Sequence, residues 1–345
     1  MPSFRTSLAV ALSLLPLLGC SGTPAPVASD SPPGPTPTTW VTTSEEHMTT
    51  RIDVRLPAEQ VAEAATVFAV FQHVEETANE WKEGSPLAAV NLAAGGAPVA
   101  VPPDLMALLQ RGVQEGQETE GAFDITWGAL WGAWDFRADA PRVPTDAELA
   151  PRLAHIDYRK LVLDPAAGTA FLPDAGMVLG LGGIAKGWAL DRAADTLHQD
   201  GVSDFILSAG GQVLLSGTKD GQPWRVGIRD PRGAADDFFA SVAASDLSVS
   251  TSGDYERYFV LDGVRYHHIL DPRTGRPARG LRSATVLCAQ ATRADALSTA
   301  LMVLGPERGL ALAERLPGVE AVLVDDQGKV LQTRGVQLDR AHDPR

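Results

Sequence analysis

Cysteine is scarce in this chain of 345 residues, which has two cysteines, Cys20 and Cys288. Cys20 lies at the end of an apolar N-terminal stretch whose pattern indicates modification, so it is not expected to pair with Cys288. The fold should then be stable without an intramolecular disulfide. Cys288 stands in the apolar stretch "SATVLCAQ", which predicts a buried strand residue.

The sequence also lacks an apolar run long enough to span a bilayer, which takes roughly 20 residues. Its N-terminus has a basic Arg5, an apolar stretch at residues 8–18 and then "LLGC". This pattern predicts a secretory signal peptide over residues 1–19. The last four letters resemble the bacterial lipobox, in which Cys20 would be lipidated. A plain signal peptide with an incidental cysteine is the alternative.

Acyl chains on Cys20 would anchor the protein to a membrane. The expected location is the bacterial cell envelope, on its periplasmic side. Ser21, rather than Asp, follows the cysteine, which favours the outer membrane over the inner one.

Long runs of like charge are absent as well, although the net charge is −14. An acidic protein repels phosphate, so nucleic acid is excluded as a general partner. The apolar share of 44% and the charged share of 21% are those of a globular protein.

Residues 20–45 are rich in Pro, Ser and Thr, which predicts an extended linker before one folded domain over residues 46–345. Helices are predicted over "PAEQVAEAATVFAVFQHVEETANEW", "PPDLMALLQRGVQEGQ", residues 184–199 and "RADALSTALMVLG", the last ending at Gly305. Hairpins lie between them, most clearly around Asp262-Gly263. Helices mixed with hairpins predict an α+β fold with antiparallel pairing.

Two of the seven histidines, His267 and His268, are adjacent in a strand predicted over residues 264–270. Side chains alternate along a strand, so the two rings should face opposite sides. At most one of them can point into a given site. A histidine at the end of a strand suits proton transfer. Both rings could also be ordinary strand residues, and the pattern alone leaves this open.

The stretch "LGLGGIAKGWALDRA" is glycine-rich and opens a helix, an arrangement that suits phosphate binding. Gly180, Gly182 and Ala185 match the spacing of a dinucleotide fingerprint. The Rossmann interpretation is rejected because the chain lacks the acid after the next strand and the repeated βαβ units. A phosphate-binding loop and a simple packing turn remain the alternatives, with Lys186 either covering a phosphate or solvated.

The stretch "RADALSTALMVLG" places Asp295, Ser298 and Thr299 on one face of a helix. A carboxylate with hydroxyls is a set of hard oxygen ligands that suits Mg²⁺ better than zinc or iron. The alternative is a helix N-terminus with an aspartate near its positive end.

Aromatic residues and glycines are dense in "GAFDITWGALWGAWDF". This stretch could be an aromatic cluster of the core or a platform for a flat ligand. Composition alone does not separate the two.

Taken together, these stretches resemble the FAD:protein FMN transferase family, called ApbE, from about residue 48 to residue 333. The matching motifs, in the family's order, are "GAFDIT", "LGGIAKGWALDRA", "LSAGGQV", "PWRVGIRDP", "STSGDYERYF", "HHILDPRTGRPA" and "ADALSTALMVLG". The resemblance implies a single T-fold-like domain of the α+β class, with antiparallel sheets and packed helices.

The resemblance also implies a reaction. FAD is bound as a substrate with Mg²⁺, AMP leaves, and FMN is joined by a phosphoester to a threonine of an acceptor protein. The implied acceptor is an exported redox protein with a threonine-containing flavinylation motif. Two alternatives stay open: an FAD pyrophosphohydrolase, in which water replaces threonine, and a lipoprotein that binds flavin without catalysis.

Residue by residue, the resemblance makes Asp295, Thr299 and the backbone carbonyl of Gly183 the Mg²⁺ ligands. His268 becomes the base that takes the threonine proton, and His267 faces away. The positions that it implies for FAD contact are Met48, Ala122, Phe123, Asp124, Gly180, Lys186 and Ile269.

Three departures from the family pattern are visible. Thr49 stands where the family has glycine in Met-Gly-Thr, and Gly180 stands where an Asp is common. The segment "SPLAAVN" replaces Ser-x-Leu/Val-Ser-x-Leu-Asn. All three fall around the expected FAD pocket, so they bear on flavin contacts more than on metal binding.

Overall fold

The structure is a computed structural model that describes residues 38–344. Cys20, the predicted signal peptide and most of the predicted linker lie outside the described residues. The first strand, Trp40–His47, begins before the predicted domain boundary at residue 46. Residues 40–45 each pair with a residue of the following strand, so this end of the predicted linker belongs to the sheet.

The described residues form eighteen strands, six α-helices and three short 3₁₀ helices. The strands are β1 (Trp40–His47), β2 (Thr50–Pro57), β3 (Val99–Ala100), β4 (Val162–Asp164), β5 (Thr169–Phe171), β6 (Phe205–Ala209), β7 (Gln212–Ser216), β8 (Trp224–Arg229), β9 (Phe238–Ala244), β10 (Leu247–Gly253), β11 (Tyr258–Leu261), β12 (Val264–His267), β13 (Leu270–Asp271), β14 (Arg276–Pro277), β15 (Leu281–Cys288), β16 (Glu320–Asp325), β17 (Val330–Gln332) and β18 (Asp339–Arg340). The α-helices are α1 (Ala64–Thr77), α2 (Pro86–Leu92), α3 (Pro103–Glu118), α4 (Asp146–Leu153), α5 (Ala185–Gln199) and α6 (Ala291–Arg315). The 3₁₀ helices are Ala58–Glu63, Gly128–Leu130 and Tyr158–Lys160.

An eight-stranded sheet in the order β1-β2-β6-β7-β10-β15-β16-β17 forms the centre of the fold. Every neighbouring pair in it is antiparallel. Smaller antiparallel sheets are formed by β8-β9-β18, β3-β5-β4, β11-β12 and β13-β14. This architecture confirms the predicted α+β class.

The side chains of strand β15 pack into a different apolar cluster on each face of the sheet. Ala284, Val286 and Cys288 point to the core shared with helices α5 and α6. Leu287, on the opposite face, packs in a second cluster with strands β8, β9 and β16. Alternation therefore buries both faces of this strand, and burial of a residue such as Leu287 stabilises the fold by about 2 kcal/mol. The predicted burial of Cys288 is confirmed, and burial raises the pKa of its thiol to about 12.

The helix α5 spans the predicted stretch almost residue for residue. The helix α6 continues beyond its predicted end, because Gly305 marks a kink and the chain remains helical to Arg315. Gly305 has φ 77°, a left-handed value open to glycine, and Pro306 then starts the next helical turn. Over residues 38–344, none of the helices combines the length and apolar character that crossing a membrane requires.

The hairpin β11–β12 turns at Asp262-Gly263 as predicted, with positive φ at both residues. The strand predicted over residues 264–270 is nevertheless interrupted, since β12 ends at His267 and β13 begins at Leu270. The Ile269 N–H lies 3.3 Å from His267 Nδ1, a local contact that replaces strand pairing at this point. His268 therefore sits at a bend in the chain.

Candidate active site

A cavity of about 920 Å³ opens where the β1–β2 turn, the start of α5, the strand β10 and the base of the β11–β12 hairpin meet. This is the size of a cofactor site. Ten of the eleven positions that the resemblance assigns to FAD contact, metal binding or catalysis line it: Met48, Ala122, Phe123, Asp124, Gly183, Lys186, His268, Ile269, Asp295 and Thr299. The fold thus brings together around one cavity residues as far apart in the chain as Met48 and Thr299.

The floor of the cavity is set where α5 crosses α6. A Cβ on Gly187 would lie 2.3 Å from the carbonyl oxygen of Ala291, so only glycine permits this approach. The Gly187 N–H donates to Asp295 Oδ2 at 3.1 Å. Asp191 of α5 accepts hydrogen bonds from the backbone N–H groups of Ala291 and Thr292 at the start of α6. These contacts fix α6 against α5 and hold Asp295, which is 5% exposed, at the cavity floor.

Gly183 and Thr299 face each other across the same floor. A Cβ on Gly183 would lie 3.4 Å from Thr299 Oγ1, an ordinary contact distance, so the Gly183 backbone lies next to this hydroxyl. Together with Asp295, they offer a carboxylate, a hydroxyl and a backbone carbonyl in one place. These are the hard oxygen ligands that Mg²⁺ takes, and the remaining positions would be open to water or phosphate oxygens.

Ser298 was expected on the same helix face, but it does not line the cavity. It is fully buried, and its hydroxyl lies 2.8 Å from the hydroxyl of Ser252 on β10. It also donates to the carbonyl oxygen of Asp295 at 2.9 Å. Ser298 therefore ties α6 to the sheet, and the shared helix face is reduced to Asp295 and Thr299.

The glycine-rich loop ends in the N-terminus of α5, which opens onto the cavity through Gly182 and Gly183. The Lys186 ammonium donates to the Gly182 carbonyl at 3.0 Å and lies 3.5 Å from Asp295 Oδ2. A helix N-terminus with an adjacent cation is suited to bind phosphate. Gly187, in the first turn of α5, packs this helix against α6, which agrees with the packing interpretation of this stretch, while phosphate binding stays a prediction.

His268 lines the cavity, whereas His267 is buried elsewhere with Nε2 2.9 Å from the Ala278 carbonyl. Burial, with His267 and the Arg257 guanidinium nearby, lowers the pKa of His268 to about 4. Its Nδ1 is buried without a hydrogen-bond partner among residues 38–344. The ring is therefore neutral at neutral pH and can accept a proton.

Asp124 lines the cavity, but its carboxylate is engaged locally. It accepts hydrogen bonds from the Thr126 N–H at 2.8 Å, the Thr126 hydroxyl at 2.6 Å and the Tyr158 N–H at 3.0 Å. Burial raises the pKa of this carboxyl group, and these bonds oppose the rise. Asp124 thus holds the loop that presents Ala122 and Phe123 to the cavity.

Gly180, expected at the FAD site, does not line the cavity in the described structure. Its carbonyl accepts a hydrogen bond from the Trp127 indole, and its N–H donates to the carbonyl of Ile125. A Cβ at this position would come within 3.0 Å of both the Trp127 and Trp131 rings. The two indoles fill the space that a side chain would need, which explains glycine here in place of the family's aspartate.

Threonine at position 49, where the family has glycine, adopts an unfavourable backbone conformation. Met48 and Thr49 form the two-residue turn between β1 and β2, with φ 52° and 59°. Such turns require left-handed φ at both positions, where glycine is favoured and a β-branched residue is strained.

Sequence reasoning missed several residues of the cavity wall. Trp81 is 71% exposed and its ring lies 4.2 Å from that of Trp131. Arg229, at the end of β8, and Arg257, just before β11, also line the cavity; they stand in the matching motifs "PWRVGIRDP" and "STSGDYERYF" but were assigned no role there. The aromatic stretch supplies both a cavity wall and a core cluster, since Trp127 and Trp131 line the cavity while Trp134 and Phe136 pack beneath the hairpin.

Comparison with known proteins gives a consistent result. The sequence profile of the ApbE family matches residues 48–323. An FAD:protein FMN transferase of Treponema pallidum is 37% identical over 306 residues, which cover 84% of each chain. One from Vibrio cholerae is 35% identical over 263 residues, covering 74% of this chain and 78% of the relative.

Solved structures agree with this. The crystal structure of the ApbE protein from Thermotoga maritima matches with a TM-score of 0.79 at 33% identity, over 86% of this chain and 97% of that one. The flavin transferase ApbE from Vibrio cholerae matches with a TM-score of 0.76 at 30% identity, over 86% and 98% of the two chains.

Proposed function

The chain belongs to the ApbE family and is a flavin transferase, and we propose that it transfers FMN from FAD to a threonine of an exported acceptor protein, releasing AMP. The observation that carries this proposal is the convergence of an oxygen ligand set, a helix N-terminus and a neutral histidine on one cavity. The ligand set is Gly183, Asp295 and Thr299, and the histidine is His268.

The residues at the cavity floor fit Mg²⁺, with Asp295, Thr299 and the Gly183 carbonyl as its protein ligands. When bound there, Mg²⁺ would supply charge neutralisation to phosphate oxygens. A single carboxylate leaves room for substrate oxygens in the coordination sphere, as expected where the metal and a pyrophosphate are bound together.

The residues of the chain account for the remaining requirements of the transfer. The N-terminus of α5 and the Lys186 ammonium bind and orient the pyrophosphate of FAD. His268 accepts the proton of the threonine hydroxyl. The threonine oxygen then forms a bond to the phosphorus of the FMN half, and the bond from that phosphorus to the bridging oxygen breaks. AMP leaves with the bridging oxygen.

The experiment that tests this proposal uses the domain from residue 38 onward with FAD, Mg²⁺ and a threonine-containing acceptor domain. Mass spectrometry should show an acceptor heavier by one FMN, and this gain should be lost in Asp295→Asn and His268→Gln. His73→Gln makes the same chemical change at an exposed position outside the cavity and should keep full activity.

Two other outcomes would overturn the proposal. Free FMN and AMP beside an unmodified acceptor would favour a pyrophosphohydrolase, in which water takes the place of threonine. FAD that is bound but never cleaved in the presence of Mg²⁺ would leave a flavin-binding protein without catalysis.

Lipidation of Cys20 and location at the periplasmic face of the cell envelope are part of the same proposal. Their support is the "LLGC" pattern after an apolar stretch, which lies outside the described residues. Labelling with a fatty acid in cells should mark the parent chain and not Cys20→Ser. Equal labelling of both would contradict lipidation at this residue.

A further inference from the structure

Large hydrophobic side chains with high exposure are concentrated around the cavity. Of the eight such residues in the described structure, four lie on the single hairpin β11–β12: Tyr258, Val260, Leu261 and Val264. Two more, Trp81 and Phe238, line the cavity itself. A local concentration of exposed apolar side chains of this kind is typical of an interaction site.

Both ends of the hairpin β11–β12 lie at the cavity. Arg257 precedes β11 and His268 follows β12, and both residues line the cavity. The His268 N–H donates to the Arg257 carbonyl at 3.0 Å, which closes the base of the hairpin. A molecule resting on the hairpin would therefore reach the imidazole that takes the proton.

One face of the hairpin, the anchored face, packs against an aromatic cluster. This packing fixes the orientation of the opposite, open face. Phe259 and Tyr266 are opposite each other in the ladder, so their side chains share a face. They pack against Trp134 and Phe136, with ring centres about 6 Å apart. Tyr258 and Val260 lie on the other face and are 41% and 55% exposed, whereas Leu261 and Val264 are on the anchored face near the turn. A two-stranded ribbon with an uncovered apolar face is unfavourable in water unless a partner covers it.

The charge of this region differs from that of the chain. Residues 257–279 contain five arginines and two aspartates, although the net charge of the whole chain is −14. Arg257 is exposed at the base of the hairpin, and Arg265 lies over the ring of Tyr258 at 3.8 Å. Three of the arginines pair within the chain, Arg265 with Asp254, Arg273 with Asp271 and Arg276 with Asp146. The exposed Arg257 at the hairpin base is the cation placed to meet a carboxylate of a partner.

We propose that the β11–β12 hairpin is the docking surface for the acceptor protein, which covers Tyr258 and Val260 with apolar side chains and places carboxylates near Arg257. FAD enters the cavity and has no need of an apolar surface outside it. The second substrate is a protein that must bring a hydroxyl to His268, so it is the one reactant that can cover the hairpin. This inference rests on the proposed function and specifies its partner surface.

The test measures FMN transfer at varying concentrations of the acceptor domain for Val260→Glu and Tyr258→Glu, both on the open face of the hairpin. The KM for the acceptor should rise about tenfold or more in each, while kcat and FAD affinity stay at parent values. Val162→Glu is the matched control, because Val162 is 52% exposed on β4 and does not line the cavity. Its KM should not change. Val260→Ser serves as a milder change if a glutamate variant folds poorly.

A binding measurement tests the docking surface independently of FMN transfer. A photoreactive amino acid at position 260 should cross-link to the acceptor domain, and one at position 162 should not. Cross-linking at 260 without any FMN transfer would support docking while the proposed function failed. An unchanged KM in both glutamate variants, or equal cross-linking at 260 and 162, would overturn the docking proposal.

Discussion

The ammonium of Lys186 lies 3.5 Å from Oδ2 of Asp295, the same carboxylate oxygen that accepts the Gly187 N–H. The carboxylate proposed as the metal ligand therefore already has a cation beside it. A divalent ion at this floor must share Asp295 with Lys186 or displace it toward the phosphates. Metal binding and phosphate binding should consequently depend on each other.

Lys186→Met should separate these two effects. Without FAD, the variant should bind Mg²⁺ about tenfold more tightly, because the competing cation at Asp295 is gone. Its FMN transfer should fall by a factor of about 100 or more, because the pyrophosphate loses a cationic partner. Titration calorimetry with Mg²⁺ measures the first effect directly. Lys160→Met, which removes a different lysine–aspartate pair at 2.7 Å, should leave both unchanged. Equal Mg²⁺ affinity in parent and Lys186→Met would contradict competition.

The lowered pKa of His268 has a consequence for the pH dependence of the reaction. Because the ring is neutral down to about pH 4, the transfer rate should not fall between pH 7 and pH 5 through protonation of this residue. A histidine with its ordinary pKa would lose most of its activity over that range. A kcat/KM profile measures this, and an acidic limb centred near pH 6.5 would contradict the assignment.

The same shift predicts how stability varies with pH. In the unfolded chain His268 takes up a proton near pH 6.5, while in the folded chain it does so near pH 4. The unfolded state thus binds more protons between these values, so the free energy of unfolding should fall as pH drops from 6.5 to 4. The contribution of this residue is about 3 kcal/mol over the window. Urea unfolding of the parent and of His268→Gln should show a shallower dependence in the variant, and identical slopes would count against the shift.

The strained turn at Thr49 predicts a stabilising substitution. Thr49→Gly relieves a β-branched residue at φ 59°, and the free energy of unfolding should rise by about 1 kcal/mol. Thermal unfolding should show a Tm higher by a few degrees. Thr50→Gly is the control, because Thr50 begins β2 and glycine weakens a strand. A lower Tm for Thr49→Gly would mean that the threonine side chain contributes more than its strain costs.

Much of the fold could be predicted from local patterns. The α5 helix and the Asp262-Gly263 turn each depend on residues close in sequence, and both predictions are confirmed. The start of β1 was missed because threonines occur both in linkers and in strands, and pairing with β2 decides between them. The end of α6 was missed because a glycine followed by proline can start a new helical turn as well as end a helix.

In the candidate site, too, some residue positions follow from local spacing and others depend on tertiary contacts. The common helix face of Asp295 and Thr299 follows from their spacing. The position of Ser298 outside the cavity does not follow from spacing, because it depends on a contact with Ser252 of a distant strand. Likewise, the exclusion of Gly180 from the cavity depends on the rings of Trp127 and Trp131. Contacts between distant segments are set by tertiary packing, so local patterns in one sequence do not predict them.

The crossing at Gly187 joins two parts of the site mechanically. Because no side chain separates α5 from α6 there, the helices touch backbone to backbone and have no compliant layer between them. A displacement of α6 that carries Asp295 must also carry the Gly187 amide and the N-terminal turn of α5. Asp295 and the N-terminal turn of α5 are therefore expected to move together, which would preserve the distance between the proposed metal site and the proposed phosphate site when the rest of the domain fluctuates.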